Sequence, residues 1–179
     1  MKILIVEDNF RTAEWIAKNI IKSLPKAEVV YNLYTKHRLK SEKKLDLGKV
    51  SQTIKDIYFD VIVADLHLTN IVTRHKRISN GLKVLDMAKK YQPETTKLLI
   101  CSGHLDDWLG IEDFDGVYQG REDLPKLIDY LQKLRKMSVL VKGRCSGCRK
   151  YIKMLIPNNC SEFKCKCGEN IHTSEMAII

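Results

Sequence analysis

The chain has 179 residues and a mass of 20.7 kDa, the length of one domain with a remainder, and 44% hydrophobic with 30% charged residues excludes wholesale disorder. Four prolines and nine glycines exclude a collagen-like or Pro-rich chain, and the net charge of +9 is spread over the whole length instead of forming a polybasic tail. No apolar run reaches the roughly 18 residues of a spanning helix, and the opening lacks a secretory leader's apolar core, so a cytoplasmic protein without membrane contact is expected.

Residues 2–6 form a short apolar run, as in a strand buried on both faces. Asn9 can cap a helix in which Ala13, Ile16, Ala17, Ile20, Ile21 and Leu24 recur at helical spacing, with Pro25 helping to end it. A second strand is predicted at 28–33. The basic stretch 36–44 reads as a solvated loop leading into a helix at 47–57. Asp60 precedes a third buried strand, 61–64, that ends at Asp65. A polar excursion centred on Arg74–Arg77 follows, then a helix from Gly81 to Tyr91 stopped by Pro93. Strand four is 97–101, a short helix is predicted at 105–110, and 116–119 is a weak fifth strand. Asp123 and Pro125 open the last helix, with its stripe of Leu124, Leu127, Ile128, Leu131 and Leu134. Strand–helix alternation repeated in this way predicts an α/β fold, a doubly wound parallel sheet with helices on both faces.

In such sheets function gathers at the carboxyl ends of the strands. Glu7 and Asp8 follow strand one, Asp65 ends strand three and Ser102 follows strand four. Carboxylates brought together on adjacent strands repel one another and call for a cation, and oxygen-only ligation suits Mg²⁺. A carboxylate held there can attack phosphorus, and the Ser102 hydroxyl can donate to a phosphoryl oxygen.

Residues 1–9, 61–68, 80–89 and 98–103 together resemble the receiver domain of bacterial two-component response regulators, over about residues 1–136. The resemblance implies a flavodoxin-like five-stranded sheet of order 2-1-3-4-5, with Asp65 as phosphoacceptor, Glu7, Asp8 and Asp65 as Mg²⁺ ligands, and Ser102 as the switch hydroxyl. It also implies a histidine kinase or phosphotransfer protein as donor. Two departures stand out. Receivers end strand five with a lysine, whereas here Gln119, Gly120 or Arg121 occupies that place, and Arg121 is the candidate substitute cation. Asp65 and Gly81 are sixteen residues apart, about twice the usual separation, so 69–79 is an insertion that includes His75, and 36–46 is another.

Five of the six cysteines lie between Cys145 and Cys167. In a reducing compartment such a cluster reads as metal ligands before disulfides. Cys145 and Cys148 form a Cys-x-x-Cys knuckle, and Cys165 with Cys167 forms a second, one residue shorter, after a predicted strand at 151–157 and a turn at 157–159. Residues 137–179 therefore resemble a zinc ribbon in which Zn²⁺, favoured over an iron–sulfur cluster, is held by Cys145, Cys148, Cys165 and Cys167, with Cys160 in reserve. So small a unit builds little core without the metal.

Three functions compete: a phosphorylation-controlled switch with the ribbon as output, a pseudo-receiver adaptor that needs no phosphate, and a nucleic-acid reader. For the last, Arg144, Arg149, Lys150, Lys153, Lys164 and Lys166 supply charge, with Tyr151 and Phe163 available for stacking. Ser146, Asn158, Asn159 and Glu162 dilute that charge, and a protein partner is favoured. No nucleophile–base pair beyond the carboxylate site predicts an enzyme. The segment 135–142 is short and apolar enough to dock the ribbon near the last helix.

Overall fold

In the computed structural model, residues 1–36, 43–69, 80–92, 96–101 and 115–179 are described. Strand β1 (Lys2–Val6) leads through Asn9 into α1 (Phe10–Ser23). The Asn9 side-chain oxygen accepts from the Arg11 and Thr12 amides at 3.0 and 3.2 Å, satisfying two of the helix's otherwise unpaired donors. Ala13, Ile16, Ala17 and Ile20 are buried on one face of α1, which is the helical spacing at work. The order continues with β2 (Glu28–Val30), β3 (Tyr34–Lys36), β4 (Lys43–Leu45), α2 (Leu47–Asp56), β5 (Val61–Asp65), α3 (Asn80–Tyr91), β6 (Thr96–Cys101), β7 (Gly116–Gln119) and α4 (Leu124–Lys136).

The parallel sheet has the order β2-β1-β5-β6-β7, which is 2-1-3-4-5 counted over its own strands. Its centre is fully apolar: Ile3, Leu4, Ile5, Val61, Ile62 and Val63 are buried, as a strand covered by helices on both sides requires. Pairing of Val6 with Ala64, and of Asp65 with Ile100, aligns the carboxyl ends of β1, β5 and β6.

One expectation is corrected on the sheet's flank. The basic stretch is not a plain loop, because its two ends pair as the antiparallel strands β3 and β4, with Tyr34 opposite Leu45. Both of those side chains are buried in the main core, which is what draws the charged segment's ends together. The predicted helix at 105–110, Ser102, most of the insertion 69–79 and the middle of the basic stretch lie outside the described residues.

Helix α4 passes into the C-terminal unit with no free linker. Met137 caps the helix and β8 (Ser138–Arg144) begins at the next residue. β8 pairs antiparallel with β9 (Tyr151–Pro157) and with the short β12 (Ala177–Ile178), and β10 (Glu162–Lys164) pairs with β11 (Asn170–His172). Val141, Ile152, Met154, Ile156, Phe163, Ile171 and Met176 form a small core separate from that of the α/β part. Among the described residues no helix is long and apolar enough to cross a membrane.

Candidate functional site

Two clusters of potential metal ligands occur among the described residues. The first is at the carboxyl edge of the sheet, where Glu7, Asp8 and Asp65 bring ligand oxygens within 4.8 Å of one another. Glu7 and Asp65 are only 6% and 4% exposed, so the charge has little access to water. Burial first, and then the neighbouring Asp65 carboxylate, push the Glu7 carboxyl from 4.5 to about 8. A site that holds a carboxyl protonated in this way gains by exchanging the proton for a divalent cation, and the all-oxygen donor set fits Mg²⁺. The surroundings hold each member in place. Glu7 accepts from the Asn9 amide at 3.0 Å, and its own carbonyl accepts from the Tyr34 hydroxyl, which β3 delivers. Asp65 accepts from the His67 amide at 3.3 Å. Asp8 accepts from both the amide and the hydroxyl of Thr69, so the insertion begins on a candidate ligand.

Gly81, the second residue of α3, explains why the helix can start so close to Asp65. A Cβ there would lie 2.0 Å from the Asp65 carbonyl oxygen and 3.0 Å from Leu66 Cα. Only a residue without a side chain allows the α3 backbone to close on the end of β5. Ser102 follows the last residue of β6 and lies outside the described residues. At the end of β7, Gln119 is exposed, and its amide donates to Asp123 at 2.9 Å. The Arg121 guanidinium lies 5.3 Å from the centre of the Trp15 ring on α1, a cation–π contact.

The second cluster is formed by Cys145, Cys148, Cys165 and Cys167, whose sulfurs lie within 4.8 Å of one another. Cys145 and Cys167 sulfurs are 3.6 Å apart, as are those of Cys148 and Cys165. Tetrahedral zinc with Zn–S of about 2.3 Å has S···S edges of about 3.8 Å, so the donor set fits the ion. Both knuckles close alike. The Cys145 amide donates to the Lys150 carbonyl at 3.0 Å, and the Cys165 amide donates to the Glu169 carbonyl at 2.8 Å. In each, the residue after the second cysteine is left-handed, Arg149 with φ 59° and Gly168 with φ 93°. The shorter second knuckle therefore makes the same kind of turn one residue sooner. A backbone hydrogen bond at Glu169 draws the exposed Cys167 thiol down to about 7, whereas burial pushes Cys145 up. Cys160 stands outside the four, its thiol donating to the Glu162 carbonyl at 3.0 Å.

The stacking pair expected from the sequence is halved. Tyr151 is exposed, but Phe163 is 2% exposed in the C-terminal core, where its alternation with Glu162 and Lys164 on β10 places it. Lys166 is also withdrawn from the basic surface, since its ammonium donates to carbonyls of the α2 segment. The β8–β9 register sets Arg144 opposite Tyr151 and Lys142 opposite Lys153, on the face away from the C-terminal core. That cationic strip is invisible in the linear order.

No family model matches the sequence, and no curated protein matches it. Solved structures do match its fold. A CheY-like response regulator receiver domain from Methanospirillum hungatei JF-1 is 18% identical, with a TM-score of 0.52 over 74% of this chain and 90% of that one. The receiver domain of Francisella response regulator 1452 is 15% identical, with a TM-score of 0.54 over 75% and 96%. The receiver domain of the sensor histidine kinase PA1611 from Pseudomonas aeruginosa PAO1, which has magnesium coordinated in its active-site cleft, is 14% identical, with a TM-score of 0.52 over 74% and 94%. The α/β part thus has the fold of response regulator receiver domains, joined to a C-terminal unit whose four clustered cysteines fit a zinc ribbon.

Proposed function

We propose that the chain is a response regulator, with a receiver domain over residues 1–136 and a zinc-binding output domain over 137–179, acting in the cytoplasm. The observation that carries this reading is the triad of buried Glu7 and Asp65 with half-buried Asp8 at the carboxyl edge of a receiver-type sheet. A histidine kinase or phosphotransfer protein supplies the phosphoryl group. An Asp65 carboxylate oxygen forms the new O–P bond as the P–N bond to the donor histidine breaks, and the imidazole nitrogen leaves with the electron pair. Mg²⁺ held by Glu7, Asp8 and Asp65 would offset charge on the transferred group. Ser102 is the proposed switch hydroxyl, and no reaction beyond this self-phosphorylation is proposed.

Output passes through recognition of a partner by the C-terminal domain, held together by Zn²⁺ on Cys145, Cys148, Cys165 and Cys167. We favour a protein partner, because burial of Phe163 and engagement of Lys166 remove two of the residues a nucleic-acid surface would use. The strip of Lys142, Arg144, Tyr151 and Lys153 favours a second reading, single-stranded nucleic acid. Salt-sensitive binding of the full chain to a random oligonucleotide at micromolar concentration would select it. A pseudo-receiver adaptor is the alternative that Gln119 and the Trp15-stacked Arg121 favour. Incubation with acetyl phosphate and Mg²⁺ separates it from the switch. A single added phosphoryl group by intact mass, lost in Asp65→Asn, is the expected result; an unmodified parent, or a labelled Asp65→Asn, would refute the phosphoacceptor.

A further inference from the structure

The C-terminal domain meets the receiver at the segment joining α2 to β5, at the opposite end of β5 from Asp65. Two groups of contacts hold it there. Asp60, nearly buried, accepts from the Lys2 amide at 2.6 Å with one carboxylate oxygen and from the Leu155 amide of β9 with the other. The second group is at the cysteine cluster. The Lys166 amide donates to the Tyr58 hydroxyl at 3.0 Å, and that hydroxyl oxygen is 3.4 Å from Cys165 Sγ. Either atom can donate while Cys165 is a thiol, but a thiolate has no proton to give, so once Cys165 is deprotonated the Tyr58 hydroxyl is the donor.

Lys166 completes the arrangement. It stands between Cys165 and Cys167 in the chain, and its ammonium donates to the carbonyls of Ile54, Lys55 and Ile57 at 2.8, 2.9 and 3.2 Å. These are carbonyls at the end of α2, where helix geometry leaves acceptors unpaired and the helix dipole favours a cation. The same ammonium lies 4.4 Å from the centre of the Tyr58 ring. From within the receiver, the buried Gln92 holds the same segment, donating to the Ile54 and Ile57 carbonyls and accepting from the Phe59 amide at 2.8 Å.

We infer that Tyr58, a receiver residue, is a positioning residue of the cysteine metal centre, and that the second knuckle, once its cysteines hold Zn²⁺, is a latch that keeps the C-terminal domain on the receiver. This rests on the zinc reading above. A metal-bound thiolate is a stronger acceptor than a thiol, so zinc strengthens the Tyr58 contact. Fixing Cys165 and Cys167 on one ion also fixes the backbone of Lys166 between them and aims its side chain at α2. Docking is therefore metal-dependent, and its receiver end is the segment that runs directly into the phosphoacceptor strand.

The test uses the full chain and two conservative variants. Tyr58→Phe removes the hydroxyl and keeps the ring under Lys166; Lys166→Met keeps the stem and removes the charge. Zinc affinity is read by competition with a chromophoric chelator, and docking by hydrogen exchange of residues 54–60. Tyr58→Phe should weaken zinc affinity about 10-fold. Lys166→Met should leave affinity within about twofold and speed exchange across 54–60 about 10-fold, as should zinc removal from the parent. A parent that binds zinc while Tyr58→Phe matches its affinity and exchange overturns the latch alone. A parent that binds no zinc overturns the metal reading and the latch together.

Discussion

Gly81→Ala tests how tightly α3 closes on the end of β5. The added methyl would sit 2.0 Å from the Asp65 carbonyl oxygen, 2.8 Å from its carbon and 3.0 Å from Leu66 Cα. All three obstacles are backbone atoms of the end of a buried strand, so no rotamer relieves the contact. Opening it to the closest tolerable separation requires a shift of about 1 Å by α3 or by the end of β5. Overpacking of this kind costs about 1–3 kcal/mol, against which alanine's better helix propensity returns less than about 1 kcal/mol. A net loss of about 2 kcal/mol is expected, or about 4–8 °C in melting temperature for a chain of this length. Gly143→Ala is the internal control. Its Cβ would meet Met176 Sδ at 2.4 Å, but that thioether can rotate away, so the loss should stay under about 1 kcal/mol. Urea unfolding of both variants gives the comparison, and amide spectra report whether Asp65 and Leu66 move. An unfolding midpoint for Gly81→Ala equal to the parent's, with unshifted Asp65 and Leu66 amides, would refute the packing argument.

The raised Glu7 carboxyl makes metal-free stability depend on pH. The folded state binds this proton more tightly than the unfolded chain, so its contribution is complete below 4.5 and is lost as pH rises through about 8. Stability without Mg²⁺ should fall by a few kcal/mol over that window, and Glu7→Gln should flatten the fall; a parent whose urea midpoints ignore pH there contradicts the assignment. Mg²⁺ affinity should rise over the same window, because binding displaces the proton, and isothermal titration at several pH values measures it. Cys148→Ser should lose zinc by metal analysis and unfold 138–178 while the main core stays intact, since the two cores are separate. A variant that retains zinc, or that unfolds as a whole, contradicts this.

Much of the fold is legible in the sequence because buried parallel strands leave short apolar runs and their helices leave a recurring stripe. Lys2–Val6, Val61–Asp65 and the Asn9 cap carry that signal locally. The β3–β4 hairpin is not legible, because the charges between its strands mask two inward residues, Tyr34 and Leu45, that only tertiary packing pairs. At the cysteine cluster the spacing points to the four thiols, and Gly168 is the available clue that a knuckle with one residue between its cysteines can still turn. Phe163 reads as a free aromatic until its strand is paired. Tyr58 and Asp60 carry no sequence signal at all, since their partners Cys165, Lys166 and Leu155 are about a hundred residues away. Lys166 reads as one more surface charge because its acceptors, carbonyls of α2, have no side-chain signature.

The proposal that Asp65 is phosphorylated with Mg²⁺ bound at Glu7 and Asp8, and that this state reaches the C-terminal domain, is tested most directly by a beryllofluoride titration followed by heteronuclear NMR, with and without Mg²⁺. Saturable, Mg²⁺-dependent shifts are expected for the amides of Glu7, Asp8 and Asp65 and then for Tyr58–Asp60 and Lys166, all absent in Asp65→Asn. A spectrum unchanged by beryllofluoride and Mg²⁺, or shifts that persist in Asp65→Asn, would contradict it.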